Sequence, residues 1–161
     1  MNEIKINVND ITFDNKTREM CKSCKRYGSK ATCPPHVESV EYYEKLFRSF
    51  KNIVLYYENF TIQDIKEWKT YGKESSLAMH NYLLDKRDEL FNNGHYLVCI
   101  FGAGSCKLCE KCQFPCIKPN LSVIPLEATG VDIVDLMKKH SIEVKFPVQD
   151  NFYRIGVVLY D

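Results

Sequence analysis

The sequence predicts an α/β fold: one domain over residues 1–161, a mostly buried sheet flanked by helices, carrying two cysteine-rich loops. Three observations predict it. Residues 53–57 (Ile-Val-Leu-Tyr-Tyr) and 96–101 (Tyr-Leu-Val-Cys-Ile-Phe) are unbroken apolar runs, as expected of strands covered on both faces. Between and around them, apolar residues recur at helical spacing. Strand and helix patterns alternate along the chain, which favours one layered α/β domain over separate all-α and all-β parts.

The elements follow in order. Ile4, Ile6, Val8 and Ile11 nearly alternate with polar residues and read as an edge strand. Residues 21–36 are rich in Gly, Ser, Lys and Pro and read as loop. From Val37, the positions Val40, Tyr43, Phe47 and Phe50 have helical spacing, with Pro34 and Pro35 placed to open the helix. The strand at 53–57 comes next. Thr61 to Asp64 resembles a capping box opening a helix through Ile62, Ile65 and Trp68. Leu77, Leu83, Leu84, Leu90 and Phe91 continue a helical pattern as far as Asn92-Asn93-Gly94, a normal helix ending, and Gly72 leaves open whether this is one helix or two. After the strand at 96–101, Gly102-Ala103-Gly104 leads straight into the second cysteine segment. Residues 129–132 (Thr-Gly-Val-Asp) cap a helix carrying Ile133, Leu136 and Met137, and residues 153–160 form a closing strand. The chain contains no internal repeat, low-complexity tract or linker.

Composition narrows the class. The 161 residues are enough for a real core. A net charge of +1 supplies no field to draw nucleic acid or an anionic membrane, so neither is expected as a partner. The N-terminal residues lack a signal-peptide pattern, and no stretch approaches the ~20 apolar residues of a membrane span. The expectation is a soluble cytoplasmic protein. Eight cysteines are therefore anomalous, and seven of them fall in two short stretches. In a reducing compartment, grouped cysteines serve as thiolate ligands more often than as disulfides.

The second stretch reads Cys106-Lys-Leu-Cys109-Glu-Lys-Cys112-Gln-Phe-Pro-Cys116, a C-x2-C-x2-C-x3-C spacing. Three thiolates at this spacing reach three corners of one iron–sulfur cubane, and the fourth cysteine of such a run is often sent to a second cluster. Structural zinc sites more often use two C-x2-C pairs separated by a longer gap. One feature departs from the ferredoxin pattern: Pro115 precedes the last cysteine instead of following it. The first stretch supplies Cys21, Cys24 and Cys33, with Pro34-Pro35 next, at x2 and x8 spacings similar to those in the second half of some two-cluster ferredoxins. Its missing fourth ligand is open between His36, Cys99, Cys116 and an exogenous group. An exchange of the ferredoxin kind would bring the two segments together and set Cys116 with Cys21, Cys24 and Cys33.

Cys-x2-Cys-x2-Tyr-Gly followed by Cys-Pro-Pro, then Gly-x-Cys-x2-Cys-x2-Cys-x3-Cys, then Leu-Glu-Ala-Thr-Gly-Val-Asp, resembles a family of predicted metal-binding proteins, domain of unknown function 2284. The matching positions are Cys21, Cys24, Tyr27, Gly28, Cys33, Pro34, Pro35, Gly104, Cys106, Cys109, Cys112, Cys116, Glu127 and Gly130. The resemblance spans nearly the whole chain. It implies metal binding and brings no reaction with it.

Plainer readings stand beside several of these residues. Cys99 lies in an apolar strand, where a free cysteine behaves as a small hydrophobe. His80, His95 and His140 carry no ligand pattern and read as structural or exposed. Lys22, Lys25, Arg26, Lys30, Lys107, Lys111 and Lys118 surround the cysteines, as solvated loop charge or as compensation for thiolate-rich clusters and docking of an acidic redox partner. Tyr27 and Gly28 form a turn, and Glu127 lies near a helix start. No Ser/His/Asp set, phosphate loop or dinucleotide fingerprint occurs. The expectation is a protein holding one or two [4Fe-4S] clusters on Cys21, Cys24, Cys33, Cys106, Cys109, Cys112 and Cys116, acting in electron transfer or a reductive step with a redox partner protein. An enzyme using an open iron as Lewis acid and a zinc-stabilised binding module are the alternatives. Substrate and oligomeric state are not legible in the sequence.

Overall fold

The computed structural model describes residues 1–62, 68–145, 148 and 151–161. Five strands, β1 (Asn2–Ile6), β2 (Asn52–Thr61), β3 (Val98–Gly102), β4 (Ile124–Pro125) and β5 (Asn151–Tyr160), form one mixed sheet in the order β1-β2-β5-β3-β4. All neighbours are antiparallel except β3 and β4. Four α-helices lie among the described residues: α1 (Asn15–Glu19), α2 (Val40–Ser49), α3 (Trp68–Asn92) and α4 (Ile133–Lys139).

The strand periodicity of two sorts the apolar runs onto two faces. Ile53, Leu55, Phe101, Ile155, Val157 and Leu159 face a core shared with Tyr43 and Phe47 of α2 and Leu136 and Met137 of α4. Tyr56 and Val158 face the other way, with Val54, Val98 and Ile100, against Met79 and Leu83 of α3. The run 53–57 is thus covered on both faces, as expected, and of the run 96–101 the part from Val98 onward is. The last strand in sequence is central in space: β5 sits between β2 and β3.

Local departures have local causes. The edge strand stops at Ile6, because Asn7 and Asp10 form a reciprocal capping box around a 3-10 turn, Val8–Asp10. Helix α2 starts at Val40 under the Ser39 side chain, which accepts from the Tyr42 amide, so the two prolines lie upstream of it. Helix α3 runs unbroken through Gly72. The capping box expected at 61–64 falls partly outside the described residues. Strand β3 begins at Val98, which leaves Tyr96 and Leu97 exposed. Asp132 caps α4 by accepting from the Asp135 amide. No helix of the described residues is long and apolar enough to cross a membrane.

Candidate metal centre

Residues 12–14 run beside residues 130–132 and fix the start of the first cysteine segment. Phe13 bridges Val131, the Asp14 amide donates to the Gly130 carbonyl at 2.8 Å, and the Asp132 amide donates to the Thr12 carbonyl at 2.9 Å. Helix α1 follows, and Arg18 closes the loop by donating to the carbonyls of Val37 and Glu38. Between these anchors the segment folds as consecutive turns, including Cys24 N–H to Cys21 O, Cys33 N–H to Lys30 O, and Gly28 N–H to Pro34 O. Cys21, Cys24 and Cys33 thereby come to line one cavity of about 470 Å³. Its wall includes Tyr27, Gly104, Glu127, Phe152 and Arg154. The volume is that of a small-molecule pocket.

The second segment leaves the sheet at the end of β3. Ser76 on α3 donates to the Ala103 carbonyl at 2.9 Å and accepts from Lys107 Nζ at 2.8 Å, which fixes the exit of the loop. Residues 105–117 then form no helix and no strand, and make no backbone-to-backbone hydrogen bond among the described residues. A structureless loop of this length inside a compact domain is uncommon and usually functional. Its amides are left for side chains, water or bound groups. Cys106, Cys109, Cys112 and Cys116 ring a narrow cavity of about 20 Å³, closed from the other side by Lys30, Ala31 and Thr32.

The two segments therefore meet. The Ala31 amide donates to Cys112 Sγ at 3.3 Å, and the His36 ring packs on Phe114 with centroids 4.4 Å apart. Cys116 lines the same narrow cavity as the other three cysteines of its own segment, whereas Cys21, Cys24 and Cys33 line the larger one. Phe114, two residues before Cys116, is held against His36 of the first segment. Cys99 and His36 line neither cavity. Cys99 packs in the main core, in register with Leu159. His36 Nε2 pairs with the Gly28 carbonyl at 3.1 Å.

All eight cysteines are free thiols. Burial, then the nearby Glu127 carboxylate, pushes the Cys21 thiol up, with Arg18 opposing. Burial pushes Cys33 up to about 11, and Cys21, Cys24 and Glu127 add to the effect. Three thiols and a carboxylate crowding one site repel one another when charged, and a cation removes that repulsion. The basic residues divide. Lys30 is buried beside the four-thiol group, and Lys107 is held by Ser76 and by the Ser105 carbonyl at 3.1 Å. Lys22 pairs with Glu19, and Lys25, Lys111 and Lys118 are exposed. His80 and His95 are structural, bound to the carbonyls of Leu121 and Asp161, both at 2.7 Å.

Soft sulfur donors gathered in two groups, with an amide aimed at a sulfur and a positive side chain beside four thiols, suit a thiophilic metal. Among the described residues no three His, Cys, Asp or Glu side chains stand close enough to hold a single ion. Fold and site together define a cysteine-rich α/β protein with seven of its thiols on two irregular segments. The chain belongs to the predicted metal-binding protein family of domain of unknown function 2284, whose model matches residues 4–160. No curated protein and no solved structure matches it.

Proposed function

We propose that the chain is an iron–sulfur protein of the cytoplasm, with [4Fe-4S] clusters as its cofactors, that carries electrons or supports a reductive step under anaerobic conditions. The observation that carries this reading is that seven free thiols on two touching segments line two cavities, three in one and four in the other, and that residues 105–117 make no backbone-to-backbone hydrogen bond among the described residues. Cys21, Cys24 and Cys33 would hold one centre, and Cys106, Cys109, Cys112 and Cys116 the other. Cluster sulfurs accept amide hydrogen bonds, which set their potential, and unpaired loop amides supply such donors. An acidic redox protein suits the exposed Lys25, Lys111 and Lys118 as partner.

One observation favours an alternative. The 470 Å³ cavity beside the three-thiol group gives a reactant room to reach that centre, which favours a Lewis-acid enzyme. Iron, zinc and acid-labile sulfide measured on protein purified without oxygen test the proposal. Iron with matching sulfide supports it. Stoichiometric zinc without sulfide overturns it.

A further inference from the structure

The first thiol group has three cysteines where its partner group has four. What stands beside it is Glu127. We infer that the Glu127 carboxylate is the fourth protein ligand of the metal centre held by Cys21, Cys24 and Cys33, an inference that rests on the reading of that group as a metal centre.

Glu127 lies far along the chain from those cysteines but is built against them. It sits in a 3-10 turn, Leu126–Thr129, that follows β4. The turn is locked by the Thr129 hydroxyl donating to the Leu126 carbonyl at 2.6 Å and by the Gly130 amide donating to the Glu127 carbonyl at 3.2 Å. Gly130 takes φ +87°, a left-handed conformation natural to glycine. The residues that follow this turn are the ones paired with residues 12–14, so one pairing fixes both the start of the first cysteine segment and the turn that bears Glu127. Glu127 lines the same cavity as Cys21, Cys24 and Cys33.

Its Oε2 atom is fully buried and has no hydrogen-bond partner. None of the ion pairs of the described residues includes it. Arg154, which lines the same cavity, donates to Ser75 Oγ at 3.0 Å and to the Gly72 carbonyl at 2.9 Å, and Lys107 donates to Ser76 and Ser105. A buried carboxylate is tolerated when it is paired, protonated or bound to a metal. Three thiolates and one carboxylate supply four protein donors, one for each iron of a [4Fe-4S] cluster.

The test uses the full chain reconstituted anaerobically with ferrous iron and sulfide, in a background where Cys106, Cys109 and Cys112 are Ser, so that only the first centre loads. Glu127→Gln keeps the shape and removes the charge. Supporting groups around metal ligands cost ~10–100-fold in affinity when lost, so a ligand's loss should accelerate iron release to a chelator on the order of 100-fold. Glu127→Cys, which restores an anionic donor, should recover iron content with a changed electron paramagnetic resonance spectrum. Iron content, release rate and spectrum all unchanged in Glu127→Gln would overturn the inference. A measurement on the unaltered side chain covers failure of a variant to fold: chain labelled with carboxyl-¹³C glutamate should show ¹³C hyperfine coupling to the reduced cluster, and no coupling would overturn it. Should the unaltered chain take up zinc and no sulfide, the iron–sulfur reading fails. Zinc release from the same variants then decides the role of Glu127 on its own.

Discussion

At the scale of single residues, Gly130 shows how tightly the first segment is tied to the body. A Cβ built on it would lie 2.7 Å from both methyl carbons of Val40, on a backbone that side chains rarely adopt. Gly130→Ala should therefore destabilise the fold by roughly 2–4 kcal/mol, combining the left-handed penalty with overpacking. Trimming the obstacle in Val40→Ala should return part of that loss, so the double variant will be more stable than the sum of the two singles, read from urea midpoints. His80 carries a pH prediction. Burial lowers its pKa, with Lys107 adding to the effect and the Leu121 carbonyl opposing it. A folded pKa below the unfolded one means that its contribution is present above the ordinary value of about 6.5 and is lost as the pH falls below it. The urea midpoint should drop more steeply below about pH 6.5 in the unaltered chain than in His80→Gln, which has no ring to protonate. Equal slopes would show that His80 does not sense pH. The glycine at 130 was legible as part of a motif; its collision with Val40, ninety residues earlier in the chain, required the packing of α2 on that turn.

Among the elements, α3 and the sheet approach unusually closely. A Cβ on Gly156 of β5 would meet Leu83 side-chain carbons at 2.7 and 3.0 Å and the Phe101 carbonyl at 3.1 Å. Leu83 is fully buried at this contact. Leu83→Ala should cost roughly 2–5 kcal/mol in denaturant unfolding, the range for emptying a core leucine site. The same helix reaches the metal loops through Ser76, which holds both the Ala103 carbonyl and Lys107. Ser76→Ala should leave the sheet intact and speed hydrogen exchange and metal release at residues 103–109, measured on the loaded protein; loop exchange unchanged from the parent would refute the link. Helical spacing and apolar runs found α2, α3, α4, β2, β3 and β5 from sequence, because burial imposes period on them. They did not find β4, two residues long, since two residues carry no period.

Across the whole molecule, two segments without helix or strand, 24–39 and 103–123, are the parts that metal would order. If binding energy is folding energy for such loops, chelation should strip their order while the sheet survives. Metal-free protein should be cut by protease within these segments and should melt at lower temperature, yet keep protected amides in β2 and β5; loops equally resistant with and without metal would contradict a metal-ordered state. The same scale separates what each kind of information decides. The sequence by itself determined the class of site and the sheet-and-helix plan: cysteine spacing is local chemistry, and apolar periodicity is local geometry. It also showed that the three cysteines of the first segment lack a fourth in their own run. Only the tertiary structure showed which cavity each thiol lines, Cys116 that of its neighbours and Glu127 that of Cys21, Cys24 and Cys33. That choice depends on which distant turns pack together, here Phe13 on Val131 and Ala31 on Cys112. Such pairings are set by the summed packing of the whole core, and no spacing rule along the chain contains them.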